Sequence, residues 1–110
     1  MPKLCRIDLG DLERIRDDLL TFVATLKEAL PIERVYLFGS FARGKIHEGS
    51  DIDLLIVGDF KERLFDRIER VLELTDLPIE PLVYTNEEFD RLIAEKNPLI
   101  RHVLRESVEL

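Results

Sequence analysis

Leu37 to Ile56 reads LFGSFARGKIHEGSDIDLLI, with ten residues between Ser40 and Asp51 and one between Asp51 and Asp53. Its first residues close a strand candidate, Arg34 to Phe38, rich in β-branched and aromatic side chains and stopped by Gly39-Ser40. A glycine after a strand lets the backbone turn and lets a phosphate approach with no Cβ in the way. The neighbouring serine adds a hydroxyl, and a helical turn after it would add oriented N–H donors. Asp51 to Val57 (DIDLLIV) reads as a second strand, with Ile52, Leu54 and Ile56 on one face and Asp51, Asp53, Leu55 and Val57 on the other. Both carboxylates share a face, their Cα atoms about 6.5 to 7 Å apart. Hard oxygen ligands with no thiolate or histidine beside them suit Mg²⁺ or Mn²⁺, ions that bridge substrate phosphates. Arg43 and Lys45 lie between the turn and the carboxylates, where positive charge would offset a triphosphate.

Taken singly, each feature is ordinary. Gly-Ser is commonly a turn, Asp-x-Asp a solvated strand edge, Arg43 and Lys45 surface charges, and His47 an exposed loop residue. Their conjunction is not, because an acidic pair on an otherwise apolar strand is costly unless paired or metalated.

Outward from this stretch the chain alternates helices and strands. Leu12, Ile15, Leu19, Phe22, Val23, Leu26 and Leu30 recur at three- and four-residue intervals, predicting a helix over 11–30 that Pro31 ends. Residues 39–50 form a polar connection with three glycines. A second amphipathic helix is predicted over Lys61 to Leu74, with Leu64, Ile68, Val71 and Leu72 as its inner stripe, and Pro78 closes that connection. Ile79 to Tyr84 (IEPLVY) is a third strand, which Pro81, lacking a backbone donor, assigns to a sheet edge or a bulge. Thr85 with Glu88 fits a capping box opening a helix that carries Phe89, Leu92 and Ile93. Asn97-Pro98 fits an N-cap with proline at the first helical position, starting a last helix with Leu99, Ile100, Val103 and Leu104 inside. The expected fold is α/β (α+β), a small mixed β-sheet of three or four strands packed against helices.

Composition sets the outer limits. A chain of 110 residues fits one domain, 1–110, with no room for a second core, so an acceptor-binding or regulatory domain is expected from another molecule. The net charge of −7 disfavours nonspecific nucleic-acid or anionic-membrane binding, so a phosphate ligand needs local help. One cysteine, Cys5, rules out an intrachain disulfide, and two histidines, His47 and His102, give little support to structural zinc. No apolar run is long enough to span a bilayer and the charged start does not read as a signal peptide, so a cytoplasmic protein is expected.

FGSFARG followed by SDIDLLI resembles the Gly-Ser, ten-residue spacer, Asp-x-Asp signature of the DNA polymerase beta-like nucleotidyltransferase superfamily, specifically its minimal prokaryotic members. The likeness extends to the order of elements over nearly the whole chain. It implies the nucleotidyltransferase fold and metal-dependent transfer of a nucleoside monophosphate from a triphosphate to an acceptor hydroxyl, with pyrophosphate leaving. In that family Gly-Ser grips the triphosphate, here Gly39 and Ser40, with Arg43, Lys45 and Ser50 as further nucleotide-binding candidates. The Asp pair, here Asp51 and Asp53, binds two Mg²⁺, and a third carboxylate on a later strand completes the metal site and helps deprotonate the acceptor. The matching position is Glu80, a departure from the usual aspartate that moves the carboxylate outward by about 1.5 Å. Glu80 also reads as an exposed edge-strand residue, and Asp76, before Pro78, is the lesser candidate for the same role.

The resemblance further implies a small helical HEPN-type protein partner, the pair acting as toxin and antitoxin, with AMP moved from ATP to a hydroxyl on the partner. A homo-oligomer is also compatible with so small a chain. The rival expectation is a nucleotide-binding or partner-binding module that has lost turnover and neutralises its partner by occlusion. Transfer to a small molecule is a third, for which little chain remains to build a second pocket.

Overall fold

The structure is a computed structural model that describes residues 12–43 and 51–110. Helix α1 (Leu12–Ala29) leads into strand β1 (Ile32–Phe38), the short helix α2 (Ser40–Arg43) and strand β2 (Ile52–Gly58). Helix α3 (Leu64–Leu72), strand β3 (Ile79–Thr85), helices α4 (Asn86–Ala94) and α5 (Pro98–Glu106) and strand β4 (Val108–Glu109) complete the order. The sheet is mixed, in the order β3-β2-β1-β4, with β1 antiparallel to β2 and β4, and β2 parallel to β3. Pro81 therefore sits on an edge strand, as its missing donor requires.

β2 is buried along its length because helices cover both sides of it. Ile52, Leu54 and Ile56 enter one core with Leu19, Phe22, Val23, Leu26 and Leu30 of α1 and Val71 of α3. Leu55 and Val57 enter the other with Tyr36, Phe89 of α4, and Ile100 and Val103 of α5. The Tyr36 and Phe89 rings stack with centroids 6.1 Å apart. Each fully buried aliphatic side chain contributes about 1.5–3 kcal/mol, so the two cores together dominate the fold's stability. At the far end of β2, a Cβ on Gly58 would stand 2.2 Å from the Pro31 carbonyl oxygen and 2.9 Å from the Ile32 Cα. Both are backbone atoms, so glycine is what lets the α1–β1 corner close over β2.

Three expectations need correction. α3 begins at Leu64 rather than Lys61, and its buried residues are Arg67 and Val71, with Ile68 partly buried and Leu64 and Leu72 exposed. The stripe is rotated because Arg67 goes inward: its Nε donates to the Glu62 carbonyl at 2.7 Å, and its Nη1 to the Val83 carbonyl at 3.3 Å and Glu88 Oε1 at 2.7 Å. Ile93, Leu99 and Leu104 are exposed, and only Phe89, Ile100 and Val103 of α4 and α5 are buried. The polar connection after Gly39 opens with a helical turn, α2, whereas β4, pairing Tyr36 with Glu109 and Leu37 with Val108, makes the sheet four-stranded, within the three or four strands expected. Both caps hold: Thr85 and Glu88 form a reciprocal capping box, and Asn97 Oδ1 accepts from the Leu99 and Ile100 N–H groups.

Glu88 has two duties, closing the capping box and facing the guanidinium of Arg67, whose side chain is 8% exposed against 41% for Glu88. Burial pushes the Glu88 carboxyl up, but hydrogen bonds from Arg67 and the Thr85 N–H, with the Arg67 charge, outweigh it and hold the carboxyl below its ordinary value. Glu88→Ala would leave a buried cation without its carboxylate and should cost on the order of 3 kcal/mol at neutral pH, measured by urea unfolding. Because the folded-state value is depressed, the parent's advantage over Glu88→Gln should be full above about pH 5 and should disappear as pH falls below the ordinary glutamate value. A pH-independent difference would show that the ion pair is not its source.

Candidate functional site

The carboxylates meet because of strand register. β1 runs towards the end of the sheet from which β2 and β3 both start, so the last residue of β1 and the first residues of the other two strands are neighbours. Phe38 stands opposite Asp53, and Asp53 stands beside Glu80. Side chains at paired positions share a face, so Asp53 and Glu80 project from the side of the sheet that carries Leu55, Val57, Leu82 and Tyr84. One hydrogen bond fixes this end: the Ile52 N–H, between the two aspartates, donates to the Pro78 carbonyl at 2.8 Å.

Gly39 follows β1 with φ of 73°, in the left-handed region, and α2 starts at the next residue. A Cβ at Gly39 would stand 2.2 Å from Asp53 Oδ2 and 3.1 Å from its Cγ. The turn therefore needs glycine twice, for its backbone angle and for the Asp53 carboxylate pressed against it. The first N–H groups of a helical turn have no partner within the turn and are donors for an incoming anion. The phosphate turn and the acidic pair expected from the sequence are thus adjacent.

Glu80 is exposed, and its carboxyl is raised above its ordinary value. The charge of Asp51 is the largest cause, followed by burial, the charge of Asp53, and hydrogen bonding to both aspartates. Among the described residues no group of three histidine, cysteine or acidic side chains stands preset around a metal position. Asp51, Asp53 and Glu80 nonetheless offer oxygen donors only and repel one another, a chemistry that suits a hard divalent cation such as Mg²⁺ or Mn²⁺.

Of the other expected site residues, Lys45 and Ser50 lie outside the described residues, as do His47 and Cys5. For Ser40 and Arg43 the structure gives the backbone, the first and last residues of α2. None of the helices described is long and apolar enough to cross a membrane.

A nucleotidyltransferase domain model matches residues 17–108. A "putative protein adenylyltransferase" of Methanocaldococcus jannaschii is 40% identical over 63 residues, which cover 56% of this chain and 63% of that relative, less than two thirds of its length. The protein adenylyltransferase MntA of Thermococcus cleftensis is 30% identical over 97 residues, covering 88% of this chain and 93% of the relative. Among solved structures, a "putative nucleotidyltransferase" from Sulfolobus solfataricus superposes with a TM-score of 0.65 at 27% identity, covering 92% of this chain and 83% of that one. A toxin–antitoxin structure with AMP-PNP gives a TM-score of 0.56 at 16% identity, over 84% of this chain and 69% of that one, a likeness of fold.

Two outcomes follow from the geometry. Gly39→Ala forces a Cβ into Asp53 and an alanine into the left-handed region, which alone costs roughly 1–2 kcal/mol; thermal unfolding should register a loss at least that large, and an unchanged melting temperature would mean that the turn is not as described. Glu80→Gln should act in the opposite direction in chelator-treated protein. A raised folded-state value makes ionised Glu80 a burden that is absent below the ordinary glutamate value and grows as pH rises through the raised one. The variant should therefore melt above the parent at pH 7, by an amount that shrinks in high salt and vanishes near pH 4. Equal melting temperatures at pH 7 and low salt would remove the repulsion from consideration.

Proposed function

Because the chain belongs to the nucleotidyltransferase domain family, we propose that it transfers AMP from ATP to a hydroxyl on a partner protein, a small helical toxin of the HEPN type that the modification silences. The observation that carries the chemistry is the register that sets Gly39, Asp53 and Glu80 side by side at one end of the sheet. The choice of AMP and of a protein acceptor is supported by the two relatives that bear the name protein adenylyltransferase. The toxin partner is supported by the sequence resemblance, and a toxin–antitoxin protein with AMP-PNP has the same fold.

In this reading Asp51, Asp53 and Glu80 hold Mg²⁺ or Mn²⁺, which when bound neutralises triphosphate charge and favours in-line displacement at phosphorus. Gly39 leaves the space a phosphate needs, and the α2 N–H groups, with Ser40, Arg43, Lys45 and Ser50, supply donors and positive charge. The acceptor oxygen bonds to the α-phosphorus as the bond from that phosphorus to the bridging oxygen breaks, and pyrophosphate departs with the electron pair. The acceptor proton passes to Glu80, the carboxylate that the strand register sets beside Asp53.

The test is adenylylation of the protein encoded beside this chain, followed with labelled ATP and Mg²⁺. Glu80→Gln should slow transfer about 10²- to 10⁴-fold, the usual worth of a general base, while ATP affinity largely survives. Asp51→Asn with Asp53→Asn should abolish metal-dependent ATP binding itself. Equal transfer by Glu80→Gln would place the base elsewhere, and a parent that binds ATP and its partner but transfers nothing would be a module acting by occlusion.

A further inference from the structure

The same end of the sheet carries a second feature, on the side away from Glu80. We infer that the cleft between α1 and the loop joining α3 to β3 is a docking groove for a basic, amphipathic segment of the acceptor protein, an inference that rests on the reading of a protein acceptor above. The cleft measures about 410 Å³. Phe22 of α1 forms its floor with Leu74 and Leu77 of the loop, and Asp18, Glu73 and Asp76 stand around it. No lysine or arginine is among the described residues that line it. An apolar floor ringed by carboxylates suits lysine and arginine side chains, whose methylene stems cover apolar surface while their ends meet the acids. It suits a second copy of this chain poorly, since each copy carries a net charge of −7.

Chain connectivity ties the groove to the chemistry. Leu77 lies three residues before Glu80, a span of at most about 11 Å. The Leu77 carbonyl accepts from the Ile79 N–H at 2.9 Å, and the next carbonyl, of Pro78, accepts from Ile52 between the two aspartates. Ile79 enters the α1-side core, whereas Glu80 projects from the opposite face. A partner segment seated in the groove therefore has only to cross the end of edge strand β3 to present a hydroxyl to the carboxylates. The groove supplies the second surface that a small chain needs for holding a macromolecular acceptor.

The probe is a synthetic amphipathic Lys/Leu peptide, titrated against the full chain by calorimetry and by backbone-amide chemical shifts. A poly-lysine peptide of equal charge serves as the control. Binding should shift the amides of Thr21, Thr25 and Leu77, and Asp18→Asn with Glu73→Gln should weaken it about fivefold, the loss of two exposed ion pairs worth about 1 kcal/mol together. Asp76 is left intact so that its turn is not disturbed. Leu74→Asn should weaken the Lys/Leu peptide and leave poly-lysine unaffected. The inference is overturned if the peptide does not bind, if shifts map elsewhere, if the double variant binds as the parent does, or if poly-lysine binds equally tightly. A chain that binds the peptide at the groove but releases no pyrophosphate from Mg²⁺-ATP would sink the transfer chemistry and not the docking surface. Intact transfer with no peptide binding would do the reverse.

Discussion

Everything at the working end of this molecule depends on β2 being buried on both faces while its first residues carry two acids. The strand's side chains divide between two cores, one closed by α1 and α3 and the other by α4 and α5. A one-residue slip would exchange the two sets and turn the aspartates to the wrong side, so packing along the strand fixes the register at its tip. The apolar body of β2 thereby positions Asp53 against Gly39 and beside Glu80. Repulsion among the acids is tolerated because burial elsewhere outweighs it.

Much of this was legible in the sequence, for identifiable reasons. The division of Ile52, Leu54 and Ile56 from Asp53, Leu55 and Val57 follows from a period of two, and the edge position of β3 from one proline. Both helix caps are local patterns of a few residues and were readable as such. The adjacency of Gly-Ser and Asp-x-Asp followed from their conjunction and from resemblance, and the strand pairing agrees with it.

What was not legible depended on partners distant in the chain. Arg67 is not one of the apolar positions from which the stripe of α3 was read, and nothing nearby announces that Glu88, on another helix, would receive it. With the arginine inside, Leu64 and Leu72 move out to solvent. β4 consists of two residues and has no pattern to find; it exists because Tyr36 and Leu37 offer an open edge. Glu80 could be placed only by analogy, since its closeness to Asp53 depends on a parallel pairing formed across an intervening helix.

β3 is held in opposite senses at its two ends. At Val83 and Thr85 it is tied to α3 and α4 through Arg67 and Glu88, by charges that attract. At Glu80 it meets β2 through charges that repel. Backbone amides should accordingly exchange with solvent in a gradient, best protected towards Tyr84 and least towards the start of the strand. A cation shared between the strands would act as a rivet at the loose end. Ligand occupancy would then be recorded in the stiffness of an edge strand, and the chain would be most pliable when it has nothing to hold.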